Sequence, residues 1–163
     1  MYSQLKKIKE ELYDKCDLSF TSLVQKIEST EYSACSFRLN EYGIVYRQAK
    51  ITPKKMGQFV AIWKRDKNGI TQPYDISDDF DFMIITTIKD DKIGQFIFPK
   101  QILKEKGIVS LNGKSGKRGI RVYPPWDIVT NAQAKKSQNW QVKYFLSIED
   151  SNRCLERLMI NKA

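Results

Sequence analysis

Apolar positions recur every three or four residues at the start of the chain and every second residue after it. Leu5, Ile8 and Leu12 repeat at helical spacing, and Leu23 and Ile27 do so again after a break near residues 16–19. The pattern predicts two helices over residues 3–29, with Asp17 or Ser19 capping the second. From Tyr32 the period falls to two. Residues 34–40 read as a strand, Asn40-Glu41-Tyr42-Gly43 as a turn, and residues 44–49 as the returning strand. Thr52-Pro53 breaks the pattern, because proline lacks a backbone donor and holds the residue before it extended. Gly57 allows a bend before a strand at 58–64, and 65–74 is a loop marked by Asn68-Gly69 and Pro73.

Residues 82–88 form an apolar, β-branched run suited to a buried central strand. Lys89-Asp90-Asp91-Lys92 turns the chain into a partner strand at 94–99. A short helix at 101–106 ends at Gly107. Residues 112–119 are a basic glycine-rich loop feeding a strand at 120–123, which Pro124-Pro125 stops. Asn131 caps a predicted helix running through residue 148, with Ala134, Trp140, Val142 and Tyr144 inward. A last helix spans 152–160. With no linker along 163 residues, the expectation is one mixed α+β domain over 1–163. Its central, mostly antiparallel sheet is flanked by N- and C-terminal helices, an α/β arrangement.

Charge changes this picture more than composition does. The net charge is +9 and the pI near 9.4, which favours an anionic partner. The excess is not spread evenly. Lys and Arg minus Asp and Glu give −1 over 1–36, +5 over 37–66, −4 over 67–91, +7 over 92–126 and +2 over 127–163. Two basic blocks therefore surround one acidic insert. In the first block Arg47, Lys50, Lys54, Lys55, Lys64 and Arg65 are interleaved with Tyr46, Phe59 and Trp63. In the second, Lys114, Lys117, Arg118 and Arg121 precede Trp126. Phosphates need cations and unstacked bases need aromatic faces, so this mixture suits a nucleic-acid groove. If both blocks lie on one sheet, their cations converge on one face.

Other chemistry is narrowed by what residues are present. The chain has no histidine, which excludes His-based triads, Cys/His zinc sites and an imidazole base. Cys16, Cys35 and Cys154 are widely spaced without a CxxC, which reads as a reducing cytoplasm, with Cys35 a buried small hydrophobe. No apolar run reaches the length of a membrane span, and the charged N-terminus is no signal peptide. The glycines of 113–119 lack P-loop spacing. Trp140, Tyr144 and Phe145 read as core.

The acidic insert carries Asp75, Asp78, Asp79 and Asp81. Residues 80–100, FDFMIITTIKDDKIGQFIFPK, resemble the nucleases of the PD-(D/E)xK fold. Asp81 and Lys100 stand where that pattern has its first acid and its lysine. Asp79 and Asp81 could then share Mg²⁺, which would activate a water. Phe98 occupies the place of the second acid. A second candidate, Gln48-Ala49-Lys50, has Gln where the acid belongs.

Several runs together are similar to the MepB family: YRQAKITPKKMGQFVAIWKR, DISDDFDFMII, GQFIFPKQIL, KRGIRVYPPWD and KSQNWQVKYF. They cover residues 32–148. The resemblance implies a small cytoplasmic protein; the best-known member lies in an operon with a multidrug efflux pump and its regulator. The family brings no catalytic residues with it. The expected function is non-catalytic binding of nucleic acid, DNA before RNA, through a basic face that includes aromatic side chains. The alternatives are a metal-dependent nuclease with an irregular site at Asp81 and Lys100, and a basic module docking an acidic protein.

Overall fold

A computed structural model of the chain describes residues 1–25 and 30–159. In chain order the elements are α1 (Ser3–Ile8), β1 (Phe20–Gln25), β2 (Cys35–Leu39), β3 (Tyr42–Gln48), β4 (Lys50–Ile51), β5 (Gln58–Ala61), β6 (Lys64–Arg65) and β7 (Thr71–Gln72). After the acidic insert come β8 (Phe82–Lys89), β9 (Lys92–Pro99), α2 (Lys100–Glu105), β10 (Gly119–Val122), α3 (Ala132–Gln141), β11 (Phe145–Ser147) and α4 (Cys154–Met159). The fold is mixed α+β, as the patterning implies.

Six strands make the main sheet in the order β1-β2-β3-β8-β9-β11, antiparallel except for the parallel pair β3 and β8. Its central strands are buried on both faces. Ile44, Tyr46, Phe82, Ile84 and Ile97 point to one core, which the N-terminal helical segment and α4 cover. Val45, Met83, Ile85, Phe96 and Phe98 point to the other. A second sheet, ordered β10-β5-β4, packs over that other core with Val60, Ile120 and Val122 inward. The strands β6 and β7 form a separate ribbon.

Four polar side chains inside the main core bond one another in a chain. The Tyr13 hydroxyl donates to Gln95 Oε1 at 2.9 Å, Gln95 Nε2 donates to Thr86 Oγ1 at 3.0 Å, and the Tyr46 hydroxyl lies 2.6 Å from the same Thr86 oxygen. Satisfied buried networks of this kind fix one arrangement of the elements that share them. Here they pin the N-terminal segment onto β8 and β9. Cys35 is buried as expected, and burial pushes its thiol up to about 12.

Three expectations are corrected. The predicted second helix is the edge strand β1; Ile27 lies outside the described residues. Ser22 takes a positive φ of 58° and the pairing with β2 shifts register between Thr21 and Val24. That bulge puts Phe20 and Leu23 on the covered side three residues apart, where a regular strand would set them on opposite faces. The strand expected over 58–64 ends at Ala61 and restarts as β6. The helix begun by Asn131, whose Oδ1 accepts from the Ala134 N–H at 2.7 Å, stops at Gln141 rather than at residue 148. The chain then makes a 3₁₀ turn and enters β11. No helix among the described residues is long and apolar enough to cross a membrane.

Candidate nucleic-acid interface

In the three-stranded sheet, Lys50 lies opposite Phe59, and Phe59 opposite Arg121. Directly opposed residues share a face of a sheet, so these three form a row across the outer side. The first comes from one basic block and the last from the other. The acidic insert that separates the blocks in sequence is not part of this sheet.

Arg121 is tethered. Its Nε donates to the Met56 carbonyl at 3.0 Å, and its Nη2 donates to Thr52 Oγ1 at 2.8 Å and to the Gly57 carbonyl at 3.3 Å. These bonds hold the loop between β4 and β5, which carries the exposed Lys54 and Lys55, against β10. Gly57 makes the approach possible: its φ is +73°, and a Cβ there would meet the Tyr123 ring at 2.6 Å. Lys117 and Arg118, both exposed, lead into β10. Lys50 lies 5.2 Å from the Tyr32 ring centre and 3.4 Å from exposed Glu31. An exposed pair at that distance contributes little and leaves the ammonium available.

Beside this face, between β10 and the first half of α3, is a cavity of about 420 Å³. Helix α3 is anchored by its second half. Gln141 Oε1 accepts from the Tyr123 N–H at 2.8 Å and its Nε2 donates to the Arg121 carbonyl at 3.0 Å, completing the edge of β10 as a neighbouring strand would. Gln138 Nε2 donates to the carbonyls of Pro124 and Asp127.

A family model described as MepB-like matches residues 26–147. The chain belongs to this MepB-like family. The crystal structure of MepB aligns with it at 36% identity and a TM-score of 0.77, over 90% of this chain and 97% of that one. A bacterial homing endonuclease, I-Ssp6803I, aligns at 12% identity and a TM-score of 0.40, over 82% of each chain. No curated protein matches.

Not every cation of this MepB-like chain reaches the common face. Arg47 is 2% exposed, which corrects its assignment to a surface groove. Its Nη1 donates to the Tyr46 carbonyl at 2.8 Å and its Nη2 to the Trp63 carbonyl at 3.2 Å, with the guanidinium 5.9 Å from the Tyr74 ring centre. Lys64 is paired with Asp78 at 2.5 Å, so its charge is answered within the fold. Arg65 stacks over Trp63 at 4.9 Å and bonds the Gly69 carbonyl, on the β6–β7 ribbon. Arg118 Nη2 donates to the Thr71 carbonyl at 3.1 Å and links that ribbon to the start of β10. Lys114 is exposed on the turn after Ser110. Trp126 packs edge-on against Phe145 at 5.4 Å and lines a cavity of about 310 Å³ with Lys55.

The nuclease-like residues are placed as the hairpin register requires, but their groups are engaged elsewhere. Phe82 pairs with Pro99, and the Lys100 N–H donates to the Asp81 carbonyl at 3.0 Å, so the two residues are neighbours. The Lys100 ammonium instead bonds the carbonyls of Ile76 (3.0 Å) and Asp78 and lies 4.6 Å from the Phe80 ring centre. Asp81 Oδ2 accepts from the Gly43 N–H at 2.7 Å. Phe98 is core, stacked on Phe96 and packed on Trp140. Asp79 is exposed. With the Asp81 carboxylate engaged by Gly43 and a buried Phe98 in the second acid's place, the donor set does not fit the Mg²⁺ that the PD-(D/E)xK pattern implies.

Proposed function

We propose that this MepB-like protein binds nucleic acid without cleaving it, through the outer face of the three-stranded sheet. The observation that carries the reading is the Lys50–Phe59–Arg121 row, which joins two basic blocks around an aromatic ring. Exposed Lys54, Lys55 and Lys117 on the adjoining loops extend the positive surface that a phosphate backbone requires. DNA is the expected form. The groups of Asp81 and Lys100 are committed to the backbone, which supports a binding role over a hydrolytic one.

Fluorescence anisotropy with labelled DNA and RNA, at low and then raised salt, tests this. Affinity should fall with a slope of roughly −0.7 to −0.9 in log K against log salt per phosphate contact. Charge reversal at Lys54, Lys55 or Lys117 should weaken binding to unrelated sequences alike. No complex with any DNA or RNA at low salt would refute the reading.

A further inference from the structure

The cavity between β10 and α3 has a chemistry that backbone contact alone leaves unused. Lys117 and Arg121 stand on its β10 side, Phe59 and Trp140 contribute aromatic rings, and Gln133 and Ser137 line it from α3. Its volume of about 420 Å³ is within the range of small-ligand sites, roughly 300–1,000 Å³. Gln138 and Gln141 spend their amides on backbone groups. The Gln133 and Ser137 side chains, by contrast, are bonded to no other described residue and keep both donors and acceptors. Arg121 is held rigid by three bonds from Nε and Nη2, with Nη1 left unengaged among the described residues.

We propose that this cleft accepts one unstacked nucleotide of a single strand, its phosphate beside Lys117 and Arg121 and its base among Phe59, Trp140, Gln133 and Ser137. The inference rests on the nucleic-acid reading above and adds strandedness to it. A base in a duplex has both faces stacked and its pairing edge used. Only an unpaired base offers a face to an aromatic ring and an edge to an amide and a hydroxyl.

The test compares a labelled mixed-sequence DNA strand of about 16 nucleotides with the same strand annealed to its complement, at one salt concentration. Gln133→Trp and Ser137→Phe fill the cleft from the surface of α3, and circular dichroism checks that each variant folds. Lys54→Glu changes charge outside the cleft. The wild type should hold the single strand roughly tenfold or more tighter than the duplex. Both filling variants should lose that preference while retaining duplex affinity and salt slope, and Lys54→Glu should weaken both probes and leave the preference in place. Equal affinity for strand and duplex, or a preference that survives both fillings, would overturn the inference and leave nucleic-acid binding standing. Absence of binding to either probe would overturn both.

Discussion

The Phe59 ring lies across the backbone of Gly119, so close that a Cβ on Gly119 would meet the ring at 2.6 Å. The glycine is what leaves room for the ring edge of the one aromatic member of the basic row beside the neighbouring strand. Gly119→Val should therefore drive Phe59 off β10. The overpacking should cost about 1–3 kcal/mol of stability, read by urea denaturation. Loss of the positioned ring should weaken single-strand binding roughly tenfold, read by anisotropy. A variant unchanged in both would show that the ring has no part in the face.

Arg47 and Lys54 should separate stability from binding. Arg47 is buried and bonds two carbonyls, so Arg47→Ala leaves the Tyr46 and Trp63 carbonyls short of donors and opens a void. A loss of about 2–4 kcal/mol is expected, with the salt slope of binding unchanged in the protein that remains folded. Lys54→Glu is exposed and should reverse that outcome, shifting the denaturation midpoint by at most about 0.5 kcal/mol while weakening binding. Equal effects on both observables in either variant would break the assignment.

The burial of Arg47 was missed, because its charge was weighed above the strand's period. Val45, Arg47 and Ala49 alternate with Ile44 and Tyr46, and a strand apolar on both faces is buried on both. The hairpin of β8 and β9 was legible, because its turn and both runs are local. The helix read at Leu23 was not, since a bulge shifted the spacing there. Nor was β11, which is three residues long and continues a helical pattern; Gly94 opens room for its Phe145 ring. The shared basic face follows from β5 pairing with both β4 and β10, a contact across some sixty residues that no local pattern encodes. Gln133 and Ser137, which line the cavity beside α3, carry no signal in the sequence because polar residues on an exposed helix face look like ordinary solvation.

Acid should act on the fold through Asp75. Its carboxylate accepts from the Ser110 and Ser77 hydroxyls, each at 2.7 Å, and from the Gly113 and Ser77 N–H groups, each at 3.0 Å. These bonds hold its pKa well below the usual carboxylate range, the Ser110 hydroxyl contributing most. A depressed folded-state pKa stabilises fully above the unfolded value of about 4 and is lost as pH falls below it. Asp75→Asn should melt lower than wild type at neutral pH, with the gap closing as pH drops beneath about 4. A gap independent of pH would assign the effect to shape instead of ionisation.

Whether the protein can cleave turns on what the Lys100 and Asp81 side chains bond. Metal-assisted hydrolysis needs oxygen ligands converging on one point and a cation beside the developing charge. The register brings Asp81 and Lys100 together, yet the ammonium is drawn to the Ile76 and Asp78 carbonyls and the Phe80 ring. There it ties the acidic insert to the end of β9. The Asp81 carboxylate holds Gly43 N–H, and Phe98, where a second acid would stand, is packed in the core. Wild-type protein incubated with plasmid and single-stranded DNA in Mg²⁺ and then Mn²⁺ should show no cutting beyond that of an Asp81→Ala variant. Lys100→Met should instead lower stability by about 1–3 kcal/mol, because two carbonyls lose a charged donor. Chelator-sensitive cleavage that disappears in Asp81→Ala would mean that these groups rearrange around a metal, and the binding-only reading would fail.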